Sequence, residues 1–164
     1  MTTTEQKDQA QIDLDLSIIN NIAKFGYAFV GVNDIDDVDP VPAYVYTVGL
    51  FRKGMPELFI SGNMEQKTAM EIINKVITMW EKDGKVRVGR INNFLKVVKK
   101  KMPIQLVHVD ANLCKARMIE VSKLFPSQAY DVVQIFWPDE KGYLPYEDSY
   151  TKEPSHHQHA LRVD

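Results

Sequence analysis

AYVYTVGLFRKGMPELFIS, residues 43–61, settles the class of fold almost by itself. Ala43 to Leu50 is a β-branched and aromatic run and Glu57 to Ser61 a second short apolar run, and both read as strands. Between them, Phe51 to Pro56 carries Gly54 and Pro56, the residues of a short connection. A parallel pair needs a crossover of a dozen or more residues, so two strands this close predict an antiparallel hairpin. A purely parallel, doubly wound sheet is thereby disfavoured.

The flanking sequence supplies the rest of the layers. Upstream, Leu14, Ile18, Ile22 and Phe25 recur at helical spacing and Gly26 supplies a left-handed stop. Tyr27 to Val32 then reads as a strand, and Asn33 to Pro42, with four aspartates and two prolines, as an exposed loop. Downstream, Asn63 is placed to cap a helix with Gln66 near the capping-box position, an apolar stripe of Ala69, Ile72, Ile73, Val76 and Trp80, and Gly84 past its end. Lys85 to Ile91 and Ile104 to Val109 read as strands, Ala111 to Phe125 as a third helix that Pro126 stops, and Asp131 to Trp137 as the last strand. A Pro138 to Gly142 turn and a polar tail after Tyr150 follow. The predicted fold is therefore α+β, a mostly antiparallel sheet with about three packed helices. The expected division is a flexible segment over 1–13, one domain over 14–150 and a polar tail over 151–164.

Composition limits the function classes. A chain of 164 residues buries about two thirds of its unfolded surface and needs no disulfide or metal staple. Cys114 is the only cysteine, so an intrachain disulfide and a cysteine-based zinc cluster are excluded, and a reducing compartment fits. No run approaches the ~20 apolar residues of a membrane span, and Met1 to Gln11 lacks the apolar core of a leader, so the expected location is the cytoplasm. The net charge of −2 implies no nucleic-acid coat over the whole surface.

Against that balance, Lys85, Arg87, Arg90, Lys96, Lys99, Lys100 and Lys101 fall in one segment without a single acid. Arginine grips phosphate with two parallel hydrogen bonds and lysine adds a point charge, so the segment suits a phosphorylated ligand or nucleic acid. Lysines also protect an exposed edge strand from unwanted pairing, and both readings stand at this point.

Two aromatic motifs add candidate contacts. Alternation puts Tyr44, Tyr46 and Val48 on one face of their strand and Val45, Thr47 and Gly49 on the other; Gly49 leaves space for a close approach and Thr47 offers a hydroxyl beside it. The tyrosines serve equally as core. The second motif, Gln134-Ile135-Phe136-Trp137-Pro138-Asp139 through Gly142 to Tyr146-Glu147, ends a strand in a tight turn whose rings and carboxylates suit stacking and hydroxyl recognition, or a structural turn capped by Asp139.

Catalytic and metal-binding patterns are thin. His108 alternates with Val107 and Val109 on a strand, and His156, His157 and His159 sit in the polar tail without a carboxylate partner in a known motif. The aspartates at 34, 36, 37 and 39 lack the glycine and the terminal glutamate of a calcium-binding helix-loop-helix, and no phosphate-binding glycine motif occurs. No metal and no cofactor are expected.

Tyr46-Thr47-Val48-Gly49-Leu50, then Pro56-Glu57-Leu58 and Gly62, then Gln134 with Trp137-Pro138-Asp139, Gly142 and Pro145-Tyr146-Glu147, occur in this order with a helix between. The combination resembles the family catalogued as domain of unknown function 4262, over about Gly26 to Glu147. Phe25 stands where that family often has a histidine before the matching glycine, so no histidine role carries over. The family occurs in bacteria and their phages and brings no established activity; the resemblance implies a fold and a site location.

The functional expectation is a module that binds a small anionic, nucleotide-like ligand through Tyr46, Thr47, Gly49, Arg52, Arg87, Arg90, Gln134, Trp137, Asp139 and Tyr146, with those groups converging near Gly49. In a phage such a module sequesters a host immune signal. The alternatives are a hydrolase with Asp139, Glu147 or Glu57 as general base and Arg90 as anion stabiliser, and a protein-interaction or homodimerisation domain using the basic strand.

Overall fold

The structure, a computed structural model, describes residues 3–32, 43–62, 64–150 and 158. Its elements run α1 (Thr4–Phe25), β1 (Ala28–Val32), β2 (Tyr44–Val48), β3 (Glu57–Ser61), α2 (Gln66–Asp83), β4 (Gly89–Val97), β5 (Lys100–Val109), α3 (Ala111–Cys114), α4 (Ile119–Leu124) and β6 (Val132–Phe136), with a 3-10 turn over Leu50–Lys53. The six strands form one sheet in the order β1-β2-β3-β6-β5-β4. Only β3 and β6 run parallel, so the expected α+β, mostly antiparallel arrangement is the observed one.

The sheet is buried on both faces: every position of its central strands β2, β3 and β6 is buried, and most of them are apolar. Val45, Leu58, Ile60, Val133 and Ile135 pack with the α2 stripe of Ala69, Ile72, Ile73, Val76, Ile77 and Trp80. On the other face Tyr44, Tyr46, Val48, Phe59 and Val132 pack with Ile18 and Ile22 of α1 and with Cys114, Met118 and Val121. Each fully buried aliphatic side chain contributes about 1.5–3 kcal/mol by leaving water.

Several boundaries differ from the sequence expectation for identifiable reasons. The first helix begins at Thr4 instead of Leu14, since Thr3 accepts from the Gln6 amide while the Gln6 side chain reaches back to the Thr3 amide. The third helix is two short ones: the chain leaves helical geometry at Met118, whose side chain is fully buried. The strand expected over 85–91 instead runs Gly89–Val97, which leaves Lys85 and Arg87 outside it, and the one expected over 104–109 starts earlier, at Lys100; the two form one hairpin joined by Val98-Lys99, a connection with no glycine, asparagine or proline to announce it. Two extra residues in β4 between Ile91 and Leu95 make a bulge opposite Pro103, a position where a missing N–H is tolerated. The helix after β3 is capped at Glu65 without a side-chain bond; Asn63, the 33–42 loop and the tail histidines lie outside the described residues.

The register defines two ends of the sheet. At one, Gly49 and the 3-10 turn meet the start of β3 and β6 and the end of β5, through the pairs Glu57 with Val132 and Val109 with Val132. At the other, Gly62 donates to the Ala43 carbonyl and Phe136 pairs with Gln105.

Candidate functional site

The predicted site residues divide between those two ends. Thr47, Gly49 and Arg52 belong to the first, whereas Trp137, Asp139 and Tyr146 belong to the second, with the length of β6, roughly 17 Å, between them. The expected convergence on Gly49 is thus corrected by the parallel placement of β6 beside β3, which carries the tryptophan turn away from the 3-10 turn.

Three of the candidates are interior. Tyr46 is 1% exposed, stacks on Tyr44 at 6.1 Å and accepts from the Glu120 amide at 3.3 Å; burial holds its phenol far above the ordinary range. Gln134 is fully buried in the middle of the sheet. Thr47, also fully buried, accepts from the Leu58 amide at 2.9 Å and donates to Glu57 at 3.0 Å. None of the three reaches solvent to meet a ligand.

Glu57 is the residue that explains the first motif. Its carboxylate is fully buried and takes the Thr47 hydroxyl and the Leu50 amide on one oxygen and the Phe51 amide, at 2.8 Å, on the other. These bonds tie the orphan amides of the 3-10 turn to the edge of β3. Burial outweighs those donors and pushes the Glu57 pKa up to about 7. Gly49 begins that turn at φ +106°, and a Cβ there would meet Ile22 at 3.1 Å and the Gly26 carbonyl at 3.3 Å. The space beside Gly49 is filled by the end of α1.

Outside this clamp the same end carries an open groove of about 420 Å³ between Phe51, Pro56, Val86, His108, Tyr130 and Asp131. A second groove of about 380 Å³, sharing Gly54, Met55 and Val86, continues from it past Lys53, Lys85 and the end of α2. Lys53 pairs with Glu81 at 3.3 Å and Arg87 with Asp83 at 3.3 Å, while Arg52 and Lys85 make no ion pair among the described residues. Phe51 packs edge-on against Phe125 at 5.0 Å, which fixes its ring. His108, read from sequence as a strand residue, is exposed here.

The opposite end is a braced turn. Trp137 donates its indole N–H to the Ser61 carbonyl at 2.8 Å and lies so near Gly62 that a Cβ there would sit 2.7 Å from the ring. The Trp137 main chain is bonded on both sides by the Gln158 side chain, in the manner of a neighbouring strand. Asp139, 3% exposed, accepts from the amides of Lys141 and Tyr143 at 2.9 Å. Arg90 donates to Glu147 at 2.6 Å and to Asn92 at 2.9 Å, and the Tyr146 hydroxyl reaches Gln105 at 3.2 Å. Each carboxylate weighed as a general base, Glu57, Asp139 and Glu147, is therefore engaged in holding backbone or a guanidinium.

A single α+β domain with a two-faced sheet, a buried carboxylate clamp at one end and a tryptophan turn at the other is the class these features define. The chain belongs to the family described as Domain of unknown function (DUF4262), whose model matches residues 21–151. No curated protein and no solved structure matches the chain. The family motif now has a physical reading: Thr47, Gly49 and Glu57 build the clamp, and Gly62, Trp137 and Asp139 build the turn. No helix among the described residues is long and apolar enough to cross a membrane.

Proposed function

We propose that the protein is a small-molecule binding module for an anionic, nucleotide-like ligand, seated in the groove at the Gly49 end of the sheet. The observation that carries the reading is the conjunction there of ring surface from Phe51 and Tyr130 with Lys85, a lining cation that has no ion-pair partner among the described residues; Arg52, exposed next to Phe51 and likewise without one, stands outside the groove lining. A base or similar ring lies against the apolar wall of Phe51, Met55 and Val86, and phosphate faces the cations. The clamp beneath serves the site by keeping the 3-10 turn, and with it Phe51 and Arg52, in one conformation. Arg90, Trp137 and Tyr146, at the other end of the sheet, have no part in this site.

In a bacterium or a phage-infected host, such a module acts in the cytoplasm by sequestering a signalling nucleotide, including one that triggers immunity. Calorimetry with cyclic and ADP-ribose-type nucleotides tests the reading. Binding by the wild type that falls at least about tenfold in Lys85→Glu and Arg52→Glu supports it; a folded protein that binds none of the panel at millimolar concentration contradicts it.

A further inference from the structure

The β4–β5 hairpin breaks local rules at its tip in a way its own folding does not require. Val98 is a β-branched residue at φ +58°, a region such residues avoid, and it is 87% exposed beside Val97 at 51%. One pair back, Lys96 stands directly opposite Lys101, an arrangement that destabilises a sheet. Among the described residues neither lysine makes an ion pair. β6 pairs with β5 only as far as Gln105, so the tip half of the hairpin is a ribbon two strands wide.

By register, Arg90 and Gln105 lie on the same face of this ribbon as Lys96 and Lys101, and no residue of β4 joins the core on that side. Asn92 is held to Arg90 there, and Tyr146, 55% exposed, rests its hydroxyl on Gln105. Glu147 pairs with Arg90 there, so the charge this face offers is that of Lys96 and Lys101, and they share it with amide side chains and an exposed ring. We infer that this face binds single-stranded nucleic acid, the lysines tracking phosphates and Tyr146 stacking on a base. A duplex or a membrane surface uses the charge but not the ring and the amides. Self-association of β4 edges is a poor fit: an antiparallel pairing centred on Asn93 sets Arg90 against Lys96 of the second copy. The surface is separate from the groove of the proposed function, and each stands without the other.

Fluorescence anisotropy with labelled oligothymidylate and oligouridylate, beside heparin, duplex DNA, an acidic peptide and anionic vesicles, tests it. The wild type is expected to bind one or both oligonucleotides with an affinity that falls as salt rises, about 0.7 in the logarithmic slope per phosphate contact. Lys96→Glu places an acid opposite Lys101, so it keeps or raises the melting temperature while lowering oligonucleotide affinity about tenfold and flattening the slope. Tyr146→Ala lowers oligonucleotide affinity about tenfold and leaves heparin unchanged. The inference is overturned by a folded wild type that binds neither oligonucleotide at about 100 µM in low salt. It is equally overturned by tighter binding to duplex, acidic peptide or vesicles, or by a Tyr146→Ala variant that binds oligonucleotides as the wild type does.

Discussion

Glu57 gives the fold a pH dependence of its own. Its folded pKa, about 7, lies above the ordinary 4.5 because burial favours the neutral acid. For a group raised on folding, its stabilising contribution is complete below pH 4.5 and is lost as pH climbs through 7. That contribution is about 3 kcal/mol at most. Melting temperatures of the wild type should therefore fall between about pH 5 and pH 8, and Glu57→Gln, which has no proton to lose, should flatten that dependence. An unchanged slope in the variant assigns the pH dependence elsewhere. Gly62 makes the second residue-scale prediction. It sits at φ +121° with the Trp137 ring where a Cβ would go, so Gly62→Ala should cost about 3 kcal/mol by strain and overpacking, read from chemical denaturation.

Elements were legible to the extent that their sequence carried a period. The α2 stripe is unambiguous because Ala69, Ile72, Ile73, Val76 and Trp80 fall on one face and all are buried. The β2–β3 hairpin announces itself by Gly54 and Pro56. The β4–β5 hairpin hides because its turn uses Val98 and Lys99, which carry no turn signal, and because the bulge interrupts the alternation. That turn is also where an element-scale substitution should help: Val98→Asn, tolerant of the left-handed region, should raise stability by about 1 kcal/mol in thermal melts. A loss of stability would show that the Val98 side chain has packing the fold needs. Of the candidate site, the residue types were legible and their positions were not. A strand pattern tells which face a side chain takes, yet nothing in Trp137 or Thr47 shows at which end of the sheet it lies. That depends on β6 entering between β3 and β5, a contact between elements far apart in sequence. Glu57, an acid opening an apolar strand, was the available signal for the clamp.

The molecule as a whole has one sheet serving two cores, and this ties its parts together. Trp80 belongs to the α2 side and the Tyr44, Tyr46 and Phe59 stack to the other, but both share the same five-residue central strands. Unfolding followed by tryptophan fluorescence and by far-ultraviolet dichroism should give coincident transitions; separated midpoints would mean that the two cores melt independently. A rigid sheet of this kind holds its two ends apart, so the groove beside Phe51 and the open ribbon beside Tyr146 are independent surfaces. Amide chemical-shift mapping with the nucleotide panel separates them in one experiment. Shifts confined to residues 51–56, 85–87, 108 and 128–131 are the expected result; an absence of shifts at millimolar nucleotide, or shifts gathered around Trp137 and Tyr146, would contradict a nucleotide site at the Phe51 groove.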